Sequence, residues 1–101
     1  MPEIQIIYAK KIPGKEAAEV WARVKVKSSG DRVYSYHLGL KTILDIVATP
    51  QYPGTAGVFP TIYLMNPGQY DNYASIWIWT ATDTFESANG SVWLNMHILG
   101  Q

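Results

Sequence analysis

The sequence predicts an all-β fold, a single-domain antiparallel β-sandwich or jelly-roll-like barrel of about seven or eight short strands. Three observations favour this class. In residues 17–27 and 91–99, small or aliphatic side chains alternate with larger polar or aromatic ones, with the period of two that strands have. Residues 74–81 are rich in β-branched and aromatic side chains, which fit a pleated sheet better than a helix. Clusters of Gly, Pro, Asn and Ser separate such segments, and 101 residues suit one domain spanning 1–101.

The first two strands are expected at residues 3–9 and 17–27, with a turn at Pro13-Gly14 between them. Proline cannot continue a central ladder, and glycine relaxes the backbone. A helical turn at residues 15–19 is an open alternative for the start of the second strand. One face of the first strand carries Ile4, Ile6 and Tyr8. The second strand has an inner face of Val20, Ala22, Val24 and Val26 and an outer face of Trp21, Arg23, Lys25 and Lys27.

The middle of the chain is expected to hold a turn at residues 28–31, a short strand at 32–37 and a longer strand at 41–49. The longer strand is largely apolar on both faces, with Ile43, Asp45 and Val47 on one and Leu44, Ile46 and Ala48 on the other. Asp45 is the exception and should lie near a strand end or face a polar partner. Residues 50–60 contain three prolines and two glycines. They are predicted to form a loop that is long enough to have a functional or docking role.

The last part of the chain begins with a short predicted strand at residues 61–65, a turn at 66–68 and a polar, tyrosine-bearing loop at 69–73. After the strand at 74–81, a weaker strand is expected at 82–87. Asn89-Gly90 is a strong hairpin signal, because a type I′ turn needs positive φ at both central residues. The final strand has Val92, Leu94, Met96 and Ile98 inward and Trp93, Asn95 and His97 outward.

The strand at residues 74–81 is the unusual element, because both of its faces are apolar. Ile76 and Ile78 alternate with Trp77 and Trp79, so the strand needs a cover on each side. With Trp93 also pointing outward, the chain has more apolar surface than one small core can hide. The sequence therefore predicts subunit contacts through Trp77, Trp79 and Trp93, since interfaces are rich in tryptophan and tyrosine.

Charge is divided unevenly along the chain, although the formal net charge is zero. All eight Lys and Arg residues lie in residues 1–41 together with four acids, whereas residues 42–101 contain four acids and no base. The two parts should attract each other, either within one fold or between neighbouring copies. Arg23, Lys25 and Lys27 are the expected docking face for an acidic neighbour.

The residues that enzymes and metal sites need are scarce. The chain has no cysteine, and its two histidines, His37 and His97, are too few for a zinc site. No nucleophile elbow or glycine-rich phosphate loop is present, and of the acids only Asp83 and Glu86 are close in sequence on a predicted turn. We therefore expect a non-enzymatic protein with no catalytic residue, metal or cofactor. We also expect no signal peptide and no transmembrane segment, because neither apolar pattern occurs.

Two kinds of ligand are alternatives to a protein partner. One strand face carries aromatic and basic side chains, and the neighbouring strand is expected to add two tyrosines: Trp21, Arg23, Lys25 and Lys27, then Tyr34 and Tyr36. These resemble the stacking and basic groups of an OB-fold that holds single-stranded nucleic acid. The zero net charge argues against this alternative, because phosphate contacts need basic residues. Aromatic side chains beside Tyr70, Asp71, Asn72 and Tyr73 are also typical of a sugar platform on a β-sandwich.

Residues 37–47, His-Leu-Gly-Leu-Lys-Thr-Ile-Leu-Asp-Ile-Val, and the terminal strand 92–100 give the chain a family resemblance. It resembles the small β-rich virion proteins of tailed bacteriophages, including head decoration (cement) proteins. The resemblance implies a structural protein of the virion, assembled in the host cytoplasm, that binds the capsid shell as an oligomer and stabilises it. It also implies a homotrimer with the major capsid protein or other virion subunits as partners. Residues 1–14 would then be an N-terminal arm or exchanged strand, with Ile4, Ile6 and Tyr8 in the contact.

Overall fold

The computed structural model describes residues 2–50, 59–79 and 92–101. Within these ranges the chain forms seven strands and one short 3₁₀ helix. The strands are β1 (Glu3–Ile12), β2 (Ala17–Val26), β3 (Asp31–Tyr34), β4 (Ile43–Pro50), β5 (Phe59–Met65), β6 (Tyr73–Trp79) and β7 (Val92–Gly100), and the helix is Ser35–Leu38. The predicted all-β class is confirmed. The middle of the proline-rich loop, the predicted strand at 82–87 and the Asn89-Gly90 hairpin lie outside the described residues.

The strands form two antiparallel sheets. The larger sheet has the order β1-β2-β7-β4, and the smaller sheet has the order β3-β6-β5. Their inner faces share one hydrophobic core. The core is built mainly from alternate residues of β2, β6 and β7, including Val20, Val24, Ile76, Ile78, Leu94 and Ile98. Among the described residues, no helix is long and apolar enough to cross a membrane.

The pairing of β2 with β7 confirms both of their predicted inner faces. The two strands are in register from Ala18 opposite Gly100 to Val26 opposite Val92. Every second residue of each strand is buried from Val20 and Val92 onward. Directly opposed residues of an antiparallel pair lie on the same face. The alternation that is visible in the sequence therefore becomes one continuous apolar layer.

A bulge in β1 makes the predicted common face of Ile4, Ile6 and Tyr8 wrong. The register shifts between Ile6 and Tyr8. Ile4 and Ile6 are opposite the inward-facing Val24 and Ala22, whereas Tyr8 is opposite Trp21 on the outer face. The bulge adds Ile7 to β1 without a counterpart on β2. Side chains after the bulge therefore lie on the other face from the one that strict alternation predicts.

A second bulge lies in β4, between Ile43 and Asp45. Ile43 is fully buried, and Ile46 and Ala48 pack against the core. The prediction that Ile43 shares a face with Asp45 and Val47 is therefore wrong. Asp45 is exposed near the start of the strand, as expected, and its carboxylate accepts a 2.9 Å hydrogen bond from the Ile46 N–H.

The predicted strand at residues 32–37 is also wrong, because β3 ends at Tyr34 and the chain turns into the 3₁₀ helix. The ring nitrogen Nδ1 of His37 accepts a hydrogen bond from the Tyr34 N–H at 3.1 Å. Gly39 then closes the helix with a φ of 74°, which glycine adopts without strain. At the earlier turn β2 begins at Ala17, so the alternative helical turn at residues 15–19 does not form.

Asn72 joins the two sheets through its side chain. It precedes β6 of the smaller sheet and is buried. Its Oδ1 accepts a hydrogen bond from the Ile43 N–H at 2.6 Å, and its Nδ2 donates one to the Ile43 carbonyl at 2.7 Å. The amide therefore pairs with the first residue of β4 in the larger sheet much as a neighbouring backbone would. This contact fixes the loop before β6 against the core.

Candidate functional site

The outer face of the smaller sheet is the candidate site. Alternation along β6 buries Ala74, Ile76 and Ile78 and turns the intervening residues outward. The pairing of β6 with β3 and β5 adds outward residues from both neighbours. We call this surface the aromatic face and define it as Arg32 and Tyr34 of β3, Tyr63 and Met65 of β5, and Tyr73, Ser75, Trp77 and Trp79 of β6.

An open groove of about 410 Å³ runs over β5 and β6. Six residues of the aromatic face line it: Tyr63, Met65, Tyr73, Ser75, Trp77 and Trp79. Ser75 is the small residue between the larger Tyr73 and Trp77, and it is opposite Tyr63 on β5. Its hydroxyl accepts a 3.1 Å hydrogen bond from the Trp77 indole N–H. The groove is therefore apolar along its walls, and the indole that borders it is held in one orientation.

A cluster of packed tyrosine rings extends the aromatic face beyond the groove. The Tyr34 ring lies 5.2 Å from Tyr73 and 5.3 Å from Tyr36, measured between ring centroids. His37 contacts both Tyr34 and Tyr36 edge to face. The 3₁₀ helix that breaks β3 brings Tyr36 and His37 against this cluster. Such packing pre-orders the rings and reduces the entropy that binding would cost.

Arg32 is the one charged residue among those that define the aromatic face. Its guanidinium lies 4.6 Å from the centroid of the Tyr73 ring, in cation–π geometry. It also donates a 3.3 Å hydrogen bond to the Tyr34 hydroxyl. That hydrogen bond and the nearby hydroxyls of Tyr73 and Tyr34 raise the pKa of Arg32 above its ordinary value. The hydrogen bond to Tyr34 and the contact with Tyr73 hold the guanidinium in place.

The composition of the aromatic face matches the centre of a protein interface. Trp, Tyr, Met and Arg are enriched in interfaces and supply most hot spots, while Lys, Glu and Asp are depleted. Met65 and Tyr63 are both exposed, Tyr63 by 48%. Trp77 and Trp79 are half-buried. The surface can contribute apolar contact, stacking and one charge-assisted hydrogen bond.

The outer face of the larger sheet has a different character, because acidic and basic residues lie opposite each other across its strands. Glu3 is opposite Lys25 and Lys10 is opposite Glu19 across the β1–β2 ladder. Glu19 also lies 3.4 Å from His97, whose ring stacks on Trp21 with the centroids 4.6 Å apart. This balance does not favour a phosphate backbone as the ligand.

The structure brings part of the predicted basic docking face together. Arg23 and Lys25 lie over the Trp93 ring, at 4.8 and 5.8 Å from its centroid. The third base, Lys27, lies in the turn after β2, where its backbone N–H donates to the Asp31 carboxylate at 2.7 Å. Trp93 is thus covered in part by the protein's own side chains. Docking of an acidic neighbour on these bases stays a prediction.

The other predicted interface residues fall in separate places. Trp77 and Trp79 lie together on the aromatic face, whereas Trp93 lies on the opposite side of the sandwich. Ile4 packs against the core, and Ile6 and Tyr8 are exposed on β1. Sequence reasoning missed Arg32, Tyr63 and Met65 as partners of Trp77. Only the pairing of β5 and β3 with β6 places them on one face.

The predicted sugar platform at residues 70–73 is not assembled as such. Asn72 is buried, and its side-chain amide is hydrogen-bonded to the Ile43 backbone. Tyr70 is exposed and lies away from the aromatic face, beside Lys41 and Gln101. Of the four residues, Tyr73 alone belongs to the groove.

Within the described ranges, no three His, Cys, Asp or Glu residues cluster as metal ligands would. Comparison with protein-family models, curated proteins and solved structures gave no match. The functional argument therefore depends on the geometry of the two sheet faces.

Proposed function

We propose that this chain is a non-enzymatic structural subunit that assembles with further copies through its aromatic face. The aromatic face is the observation that supports the proposal, because it combines interface-type residues, an open groove and a single charge. We further propose that the assembly is a virion component of the capsid-decorating type that the sequence resembles. The trimer and the capsid as partner remain part of that proposal.

The exposed part of the aromatic face would contribute free energy to association if a second copy covered it. An aromatic side chain buries 150–250 Å² when it is fully covered, so about 100 Å² remains to be buried at Tyr63. At about 25 cal/mol per Å² this single residue would contribute at most roughly 2.5 kcal/mol to association. Trp77, Trp79 and Met65 adjoin it along the groove. Their burial would add to this contribution, which works against the entropy cost of association.

The test is the mass of the protein in solution as a function of concentration, measured by sedimentation equilibrium. The variant Tyr63→Ser removes an exposed ring from the groove, and Trp77→Ser removes an indole from its wall. The matched control is Tyr70→Ser, because that ring is 75% exposed and lies off the aromatic face. We expect wild type and Tyr70→Ser to associate equally. Tyr63→Ser should shift association to at least tenfold higher concentration, the equivalent of about 1.4 kcal/mol.

A wild-type mass that stays at the monomer value at every concentration would contradict the proposal. It would favour a carbohydrate ligand, because the groove would then accommodate sugar rings against Tyr63, Tyr73 and Trp77. Binding of wild type to a glycan array, lost in Tyr63→Ser and kept in Tyr70→Ser, would establish that alternative. Trp93→Ser is a second control, since it makes the same change as Trp77→Ser on the other sheet.

A further inference from the structure

Strand β1 forms an edge of the larger sheet. It pairs with β2 along one side, and among the described residues no strand pairs with its other side. The strand is 10 residues long, compared with about five or six for a common strand. An edge of this length presents a row of backbone donors and acceptors to any extended chain that can align with it.

The middle of this edge is apolar and accessible. Ile6, Ile7 and Tyr8 are 47%, 61% and 54% exposed. Opposite charges flank them, with Glu3 at the start of the strand and Lys10 and Lys11 near its end. Lysines and bulges often protect an edge from pairing. Here the lysines are at one end only, so a chain running in the opposite direction would place its own acid beside them.

The bulge determines which residues could oppose each other in such a pairing. Before it, Glu3 and Gln5 lie on the outer face, opposite Lys25 and Arg23. After it, Tyr8 and Lys10 lie on the outer face, opposite Trp21 and Glu19. Without the bulge, positions 3 and 10 would be on opposite faces. The extra residue brings the two ends of β1 to the same face.

One two-fold register then matches faces along the whole strand. If the axis passes between Ile6 and Ile7, Glu3 opposes Lys10 of the second copy and Gln5 opposes Tyr8 of the second copy. Ile4 opposes Ala9 on the inner face. Two copies of one surface that meet about a two-fold axis form a closed, self-complementary contact. The exposed isoleucines meet at the centre of this contact.

The same register continues the charge pattern of the β1–β2 ladder. Glu3 is already opposite Lys25, and Lys10 is opposite Glu19. Across the new contact the outer face would read Lys25, Glu3, then Lys10 and Glu19 of the second copy. Positive and negative charges therefore alternate across β2 and β1 of one copy and β1 and β2 of the other. The two-fold axis generates a second such row, in the opposite direction. Opposite charges on directly opposed residues stabilise a sheet, and like charges destabilise it.

We propose that β1 pairs antiparallel with β1 of a second copy in this register and joins two larger sheets into one continuous sheet. The contact uses a different surface from the aromatic face and does not depend on it. Because the contact is two-fold, it joins two copies into a dimer. It could link one trimer to another, but it could not build a trimer. It also assigns Ile6, Ile7 and Tyr8 to an interface between subunits.

Charge exchange tests this register with the full chain. In Glu3→Lys alone both contacts would set lysine against lysine, and in Lys10→Glu alone both would set glutamate against glutamate. In a mixed dimer of the two variants both contacts are attractive. We expect each variant alone to dimerise on the order of tenfold more weakly than wild type, and the equimolar mixture to recover. A folding defect could not produce recovery on mixing, because each variant keeps its own change within the mixture. Equal dimerisation of the variants and the mixture would overturn the proposal.

Disulfide formation tests the register directly, because the chain has no cysteine of its own. Opposed residues of an antiparallel pair have Cα atoms about 4.5–5.5 Å apart, which a disulfide can span. A mixture of Gln5→Cys and Tyr8→Cys should form a heterodimer under mild oxidation. Gln5→Cys mixed with Ala9→Cys is the control, because those positions lie on opposite faces. Equal cross-linking in both mixtures would contradict the register. Adding Tyr63→Ser to each variant should leave the cross-link unchanged and so separates this contact from the aromatic face.

Discussion

Replacement of Asn72 by alanine is the sharpest test of how the two sheets are joined. The Asn72 amide makes two hydrogen bonds, at 2.6 and 2.7 Å, with the N–H and the carbonyl of Ile43. Both residues are buried, at 2% and 0% exposure. Alanine would leave one backbone donor and one backbone acceptor without these partners. It would also leave a small void beside the start of β4.

The expected loss of stability follows from those two groups. An unsatisfied buried donor or acceptor costs about 1–3 kcal/mol, so the loss of both partners should cost roughly 2–6 kcal/mol. A domain of this size has a total stability of about 5–15 kcal/mol. One kcal/mol corresponds to about 4–8 °C in Tm for a domain of up to about 100 residues. We therefore expect Asn72→Ala to lower Tm by about 10 °C or more.

Urea unfolding measures the change in the free energy of unfolding. The midpoint should fall while the slope m stays constant, because the surface exposed on unfolding is nearly unchanged. Asn95→Ala is the matched control, since Asn95 is exposed on the outer face of β7. It should change stability by less than about 0.5 kcal/mol. If Asn72→Ala were as mild as Asn95→Ala, the amide contact would not join the sheets.

Two further substitutions probe the same end of the core by thermal unfolding. Gly100→Ala would place a Cβ 2.5 Å from the Thr42 carbonyl oxygen and 2.6 Å from Leu40 Cδ1. The overpacking should lower the free energy of unfolding by about 1–3 kcal/mol. An unchanged Tm would mean that Thr42 and Leu40 shift at little cost to make room for the methyl group. Thr42→Val should instead raise stability by about 1 kcal/mol, because the Thr42 hydroxyl is buried and has no hydrogen-bond partner in the described structure. A loss of stability in Thr42→Val would show that the hydroxyl is satisfied.

The parts of the fold that follow from a simple period could be predicted from the sequence. The alternation of β2 and β7 is regular, and their inner faces are confirmed. The run Ile6-Ile7-Tyr8 has no period, so the bulge in β1 is invisible until the partner strand is known. The side-chain cap by His37 is a local contact with the Tyr34 N–H three residues earlier, but no cue in the sequence separates His37 from a strand residue.

Only the part of the candidate site that lies on β6 could be predicted from the sequence. Trp77 and Trp79 stand out because their strand is apolar on both faces. Arg32, Tyr63 and Met65 join them only through pairing between strands that are distant in sequence, and no local pattern encodes which strands pair.

The central claim, that the aromatic face is covered in the assembled protein, is tested most directly by hydroxyl-radical footprinting across a concentration series. Oxidation of Tyr63 and Trp77 should fall as the subunits associate, whereas Tyr70 should react equally at every concentration. Constant oxidation of Tyr63 and Trp77 in a sample that has associated would contradict the claim, because the copies would then meet through another surface.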